Sequence, residues 1–98
     1  ATSASEAMKL LERGYSVQKF FPAQAAGGAA FLKSLSSPLP QITFCPTGGV
    51  SLENAKDYLD SSNVKCVGGS WVAPKNAIKN RDWDQIQQLA SDSVRVLS

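Results

Sequence analysis

The sequence lacks histidine, and its only soft metal ligands are two cysteines, Cys45 and Cys66. They form no Cys-x-x-Cys pair, so a zinc site would have too few ligands and no metal is expected. Neither positive nor negative charge is in large excess, because ten Lys and Arg against eight Asp and Glu leave a net charge of +2. This small, scattered charge argues against a nucleic-acid partner.

Long hydrophobic runs are absent as well. No apolar run approaches the roughly 18–20 residues that span a bilayer, and the start shows no signal-peptide pattern, so no membrane partner is expected. With 98 residues, 43% of them hydrophobic, the chain has room for one globular domain. Both cysteines sit in short apolar runs, which favours buried, reduced thiols over a disulfide by about four to one and agrees with a cytoplasmic location.

The apolar pattern alternates between helical and strand periods. Ser3 and Glu6 have capping-box spacing and predict a helix that ends at Gly14. Asp82 and Gln85 have the N-cap and N3 spacing of a last helix. Between these helices the pattern predicts strands at 15–22, 41–45 and 64–67, helices at 29–35 and 51–60, and a short helical turn after Pro74.

Alternating helices and strands with short loops indicate an α/β fold with a parallel sheet and right-handed crossovers. Two architectures fit this order. One is an open, doubly wound sheet, and the other is an arc of a (β/α)8 barrel. The order of elements alone leaves both open.

Two of the predicted strands end in glycine pairs. Gly48 and Gly49 follow the second strand, and Gly68 and Gly69 follow the third. Glycine lets the backbone approach an anion closely, and a following helix would add its positive N-terminal end. The alternative is a pair of tight turns, and the repetition of the pair in successive units makes the two interpretations about equal.

Lys19 lies inside the first predicted strand, on the same face as Val17 and Phe21. A buried lysine has a lowered pKa, so part of it is neutral amine that can attack a carbonyl. The alternative is a lysine on an edge strand that prevents aggregation, and spacing alone favours that alternative.

Three segments resemble the bacterial 2-keto-3-deoxy-6-phosphogluconate aldolases, also known as 4-hydroxy-2-oxoglutarate aldolases. They are KFFPA at 19–23, FCPTGGV at 44–50 and GGSW at 68–71. The resemblance covers nearly the whole chain but only about the last half of a family member. It implies that residues 1–98 form a single partial (β/α)8-barrel segment, with strands six to eight, and that the N-terminal half of the barrel is absent from this sequence.

The resemblance also implies the site. Lys19 corresponds to the lysine that forms the Schiff base, and Phe21 to a wall of the pyruvyl pocket. Thr47 corresponds to a substrate-binding residue close to the reacting centre. The residues that correspond to the phosphate-binding loops are Gly48, Gly49, Gly69 and Ser70. Gln24 stands where the family usually has glutamate, and no metal or organic cofactor is implied.

The implied activity is that of a class I aldolase, which cleaves 2-keto-3-deoxy-6-phosphogluconate to pyruvate and glyceraldehyde 3-phosphate. Alternatives are the 4-hydroxy-2-oxoglutarate or the phosphogalactonate substrate, or a non-catalytic phosphate-binding or assembly fragment. The implied partners are the phosphorylated keto acid, pyruvate, and either further copies of the chain, often three in this family, or a complementing N-terminal half. The family's proton-shuttling glutamate has no counterpart in this sequence, which leaves open whether the chain alone turns over substrate.

Overall fold

The computed structural model describes residues 1–97 and measures 43 × 24 × 22 Å. The helices are α1 (Ala4–Glu12), α2 (Gly28–Ser34), α3 (Ala55–Leu59), α4 (Lys75–Lys79) and α5 (Trp83–Leu97), and the strands are β1 (Val17–Phe20) and β2 (Thr43–Pro46). Across this part of the chain, no helix is long and apolar enough to cross a membrane.

Helix α1 begins and ends where its sequence predicts. The amide of Glu6 donates to Ser3 Oγ at 3.2 Å, and Glu6 Oε1 accepts from the Thr2 amide at 3.0 Å. After the helix, Gly14 adopts a φ of +94°, a left-handed conformation that glycine reaches without a steric penalty. The Ser3 cap and the glycine stop are therefore confirmed, although Glu6 accepts from the amide of Thr2 and not from that of the N-cap residue Ser3.

Strands β1 and β2 form a parallel pair in which Lys19 lies opposite Cys45. Gln18 and Phe20 are buried, whereas Val17 and Lys19 are exposed. The predicted alternation is confirmed, but the expected burial of the lysine face is wrong. Within the described residues, the core lies on the other face of the sheet, where side chains of α1, α2 and α3 pack together.

The predicted third strand, residues 64–67, does not form a ladder. Instead, two isolated parallel bridges join Phe44 to Val64 and Thr47 to Gly68. Between these bridges β2 advances three residues while the partner segment advances four, so one extra residue interrupts regular pairing. The parallel direction was predicted correctly, and the strand itself was not.

Aromatic rings fill the centre of the core. Phe20 stacks on Phe31 with ring centroids 5.8 Å apart and meets Phe44 edge-on at 6.2 Å. Asn63 ties the layers together, because its carbonyl oxygen accepts from the Phe44 amide at 2.7 Å and its side-chain amide donates to Leu32 O at 2.8 Å. Buried polar groups are thus bonded where the sheet meets α2.

The C-terminal part of the chain is joined to this core loosely. Helix α4 follows Pro74 as predicted, and the Gln85 amide donates to Asp82 Oδ1 at 3.2 Å, which confirms the N-cap of α5. Only Ser93 is buried among the residues of α5. Its hydroxyl accepts from Trp71 Nε1 at 2.7 Å and so fixes the helix to the loop after the second bridge.

Candidate active site

Lys19 projects from the exposed face of the sheet. Its Nζ lies 5.2 Å from the ring centroid of Phe21, within the range of a cation–π contact. Phe21 is itself 51% exposed. The pair therefore forms an accessible amine beside an aromatic wall.

A groove of about 240 Å³ runs beside this amine and is lined in part by Tyr15, Val17 and Lys19. A larger groove of about 360 Å³ lies along α1 and does not include Lys19. The smaller groove is the one that gives a small carbonyl compound access to the amine. Both are open depressions rather than enclosed cavities.

Gly48 lies against the segment that follows Lys19. Its φ is +99°, and a Cβ there would lie 3.0 Å from Pro22 Cα and 3.1 Å from the Phe21 ring. Two main-chain bonds hold the segments together, Ala23 N to Thr47 O at 2.8 Å and Gln24 N to Gly48 O at 3.1 Å. A larger residue here would have a strained backbone and would crowd Pro22 and Phe21, so glycine allows the loop to lie close beside the aromatic wall.

Gly49 packs against Gln24 in the same way. With φ at +74°, a Cβ on Gly49 would lie 2.8 Å from Gln24 Cβ. The hydroxyl of the buried Tyr58 donates to Gln24 Oε1, and burial raises the pKa of Tyr58. Sequence reasoning missed this connection, because Gln24 and Tyr58 are 34 residues apart and share no local pattern.

The main chain of this loop has free donors. Within residues 1–97, the amide groups of Gly48 and Gly49 donate to no protein acceptor. Successive free amides in a turn of this kind can bind an anion. The expected contribution of a helix beginning at Ser51 is wrong, however. Residues 51–54 form a turn in which the Ser51 amide donates to Asn54 Oδ1 at 2.7 Å, and α3 begins only at Ala55.

The second glycine loop reaches the first through Thr47. A Cβ on Gly68 would lie 2.6 Å from Thr47 Oγ1, so the two main chains meet there. Gly69 lies under the Trp71 ring, and Ser70 is exposed with no side-chain hydrogen bond in the described part of the chain. The second loop therefore presents Ser70 to solvent, while Gly69 is half-buried against the Trp71 ring.

The structure thus brings part of the predicted site together. Lys19, Phe21, Thr47 and Gly48 form a continuous series of contacts across the ends of the two strands. Gly49 is turned toward Gln24, and Gly69 and Ser70 are connected to the series through Gly68 and Thr47. Across residues 1–97 there is no group of three His, Cys, Asp or Glu side chains that could hold a metal ion.

In (β/α)8 enzymes a phosphate is frequently bound by the loops that follow two successive strands. The family model for KDPG and KHG aldolases matches residues 1–89, and the chain belongs to this family.

Individual relatives agree with this assignment. The 2-dehydro-3-deoxy-phosphogluconate aldolase of Pseudomonas aeruginosa is 50% identical over 92 residues, which cover 94% of this chain and 42% of the relative. The KHG/KDPG aldolase of Escherichia coli K12 is 43% identical over 93 residues, which cover 95% of this chain and 44% of the relative.

A solved structure is similar throughout. The chain matches the KDPG aldolase of Legionella pneumophila, with pyruvate captured at low pH as a covalent carbinolamine, at a TM-score of 0.90 and 49% identity. The match covers 100% of this chain and 46% of that one, so the chain spans under half the length of the relatives it matches. Its α/β fold is that of the C-terminal part of the aldolase barrel, as the sequence predicted.

Proposed function

We propose that this chain is part of a class I aldolase in which Lys19 forms a Schiff base with 2-keto-3-deoxy-6-phosphogluconate. The observation that supports this most is the series of contacts from the Lys19 amine through the Phe21 ring to Gly48. It joins a nucleophile to a loop with free amide donors, and a keto acid with a terminal phosphate needs both. The Legionella relative, which holds pyruvate as a covalent carbinolamine, supports the same chemistry.

In the proposed reaction, the neutral Lys19 amine adds to the C2 ketone and water leaves to give a protonated imine. The imine accepts electrons, so the C3–C4 bond breaks to an enamine and glyceraldehyde 3-phosphate. Protonation of the enamine and hydrolysis of the imine release pyruvate and the free lysine. The reaction needs no metal or organic cofactor.

The free amides of Gly48 and Gly49 bind the phosphate in this proposal, together with Gly69 and Ser70. Thr47 lies between the two loops and contacts the substrate. Phosphate binding far from the reacting carbon supplies energy that positions the ketone against the amine.

Among the described residues, no Asp or Glu lines the groove beside Lys19, so the carboxylate that would carry protons in this reaction has to come from elsewhere. We therefore propose that residues 1–98 act as one partial barrel segment that meets a complementing N-terminal half, or further copies of itself. Lys19 and Val17 lie on a sheet face that the described residues leave exposed, and contact with such a partner would cover it. Light scattering tests this point, and a stable, monodisperse monomer would contradict it.

A second substrate has some support. The Escherichia coli relative carries both the KHG and the KDPG name, so 4-hydroxy-2-oxoglutarate is the next candidate substrate. It has no phosphate, so the glycine loops would contribute little to its binding. A comparison of inhibition by inorganic phosphate on the two substrates separates the two candidates.

The decisive experiment is trapping with pyruvate and sodium borohydride, followed by mass spectrometry of peptides. We expect a pyruvate adduct on Lys19 that disappears in Lys19→Arg and remains in Lys33→Arg, a matched control on the exposed surface of α2. An adduct that forms only after addition of the N-terminal half of a relative would support the chemistry and the need for a complementing half. No adduct in either sample would rule out the role of Lys19 and leave phosphate binding as the remaining function.

A further inference from the structure

We propose that Cys45 and Cys66 are a redox-active thiol pair that closes to an intramolecular disulfide in the sheet beside Lys19. The apolar runs around the two cysteines predict buried, reduced thiols. The predicted burial is wrong, since Cys45 is half-buried and Cys66 is exposed, whereas both are free thiols as predicted.

The bridge pattern brings the two cysteines together. Cys45 follows the Phe44–Val64 bridge, and Cys66 lies between that bridge and the Thr47–Gly68 bridge. Neighbouring strands are about 4.8 Å apart, within the roughly 4.4–6.8 Å between Cα atoms that a disulfide needs.

The extra residue in the 64–68 segment shifts the alternation of side chains, so that Cys66 points away from the core. Val64 and Val67 pack toward the core, whereas Cys66 is exposed. Cys45 alternates with the buried Phe44 and Pro46, so its thiol points away from the core. Both sulfur atoms therefore lie on the face of the sheet that carries Lys19.

The electrostatics of Cys66 agree with this geometry. A hydrogen bond with the Cys45 side chain, together with burial and the charge of Cys45, raises the pKa of the Cys66 thiol. A contact of this kind is the starting arrangement for forming a bond between the two sulfur atoms.

The oxidant in this proposal is a hydroperoxide. One thiolate displaces hydroxide from hydrogen peroxide and becomes a sulfenic acid, and the second thiol displaces water from that sulfenic acid. In total two S–H bonds and one O–O bond break, one S–S bond forms, and two water molecules leave. Two electrons pass from sulfur to oxygen, and a dithiol reductant reverses the change.

Lys19 is the direct neighbour of Cys45 in the sheet register. A disulfide would draw Cys45 toward Cys66 and change the strand against which Lys19 is positioned. Small displacements around a reacting group cost up to about a hundredfold in rate, so oxidation should lower the reactivity of Lys19 toward pyruvate. This last step rests on the proposed function, whereas the disulfide does not.

The test treats the reduced chain with one equivalent of hydrogen peroxide, alkylates the remaining thiols and maps the peptides under non-reducing conditions. We expect a linked peptide that contains Cys45 and Cys66 and weighs two hydrogen atoms less than its parts, at a rate independent of protein concentration. Cys45→Ser and Cys66→Ser should each abolish it and leave a sulfenic acid that a dimedone probe captures. Cys45→Ala and Cys66→Ala repeat the test should a serine variant fail to fold.

Two results would contradict an intramolecular disulfide. One is disulfide-linked dimers that form faster at higher protein concentration, and the other is sulfenic acid captured independently on both cysteines of the unsubstituted chain. The same samples are then trapped with pyruvate and borohydride, and the Lys19 adduct should fall about tenfold or more on oxidation. Equal adduct in both states would overturn the effect on Lys19. If neither state gives an adduct, the proposed function is contradicted and the effect of oxidation on Lys19 falls with it. The peptide map still shows whether the disulfide forms.

Discussion

The strand region and the C-terminal helices of this chain show how differently the same kind of apolar pattern can be used. In the strand region, Phe20 and Phe44 are at most 1% exposed and pack on three helices. In the C-terminal region, Ile78 is 50% and Trp83 60% exposed, although both lie on amphipathic helices. Local caps and periodicity are enough to form a helix, but burial requires a second surface that the pattern itself does not supply.

The largest expected change in stability is for a side chain in the core of the strand region, compared with one on the exposed surface of α5. Phe44→Ala should lower the free energy of unfolding by about 3–5 kcal/mol, because it removes a ring from the centre of the core. Val96→Ala in α5 should change it by no more than about 0.5 kcal/mol, since that side chain is largely exposed. Urea unfolding followed by circular dichroism measures both.

Phe44→Leu keeps part of the buried volume and should fall between these two variants. Equal losses for Phe44→Ala and Val96→Ala would show that α5 shares the core after all, and the contrast between the regions would be lost.

A smaller effect is expected at the glycine loop. Gly48→Ala should cost on the order of 1–3 kcal/mol from backbone strain alone, with a further cost from the contact with Pro22. Gly14→Ala is the matched control, because Gly14 has a similar φ of +94° but nothing within 4 Å of a Cβ. Urea midpoints of the two variants give the comparison, and equal midpoints would mean that the loop moves freely away from Pro22.

The connection between the two regions should be weaker still. Trp71→Phe removes the hydrogen bond to Ser93 and should destabilise the docking of α5 by about 1 kcal/mol. Hydrogen exchange should then speed up in α5 and stay unchanged in β1 and β2. Trp83→Phe, at an exposed site on the same helix, is the control and should leave exchange as it was. Faster exchange throughout the sheet would show that the regions unfold together.

The smallest expected effect is a pH dependence at the start of α1. Hydrogen bonds from the Thr2 hydroxyl and then the Thr2 amide lower the pKa of Glu6 below 4.5 in the folded chain. Because the folded pKa is depressed, the stabilisation is present above the unfolded pKa and is lost as the pH falls through the folded pKa. Urea midpoints should drop less over this range in Glu6→Gln, and Thr2→Val should also reduce the drop. An unchanged slope in both variants would contradict the assignment.

Features that depend on residues a few positions apart in the sequence were predicted correctly, whereas features that depend on contacts between distant segments were not. The Ser3–Glu6 box and the Asp82 cap are set by residues three apart, and the structure has both. The exposed face of Lys19 could not be predicted, because strand alternation separates two faces without saying which one the helices cover. The loss of a regular third strand also escaped prediction, since it arises from the register between two segments.

Within the candidate site, the sequence motifs identified the glycine loops but not the long-range contacts that hold them in place. The structure brings the two glycine loops together at Thr47, and their role in phosphate binding stays a prediction. Gln24 and Tyr58 are brought together only by the packing of α3, which no local spacing records. The position of Cys45 beside Lys19 follows from strand register, which also becomes visible only in the folded chain.

The glycine loop is held to its neighbouring segment by main-chain atoms, through Ala23 N to Thr47 O and Gln24 N to Gly48 O. Such bonds do not depend on side-chain identity, so a substitution at the exposed Gln24 should leave the path of the loop unchanged. Ala23 is fully buried in the core and has no such tolerance. Gly48 has less freedom, because its φ of +99° strains any larger residue and a Cβ would lie only 3.0 Å from Pro22 Cα. The shape of the loop should therefore depend on the residue at position 48 far more than on the side chain at position 24.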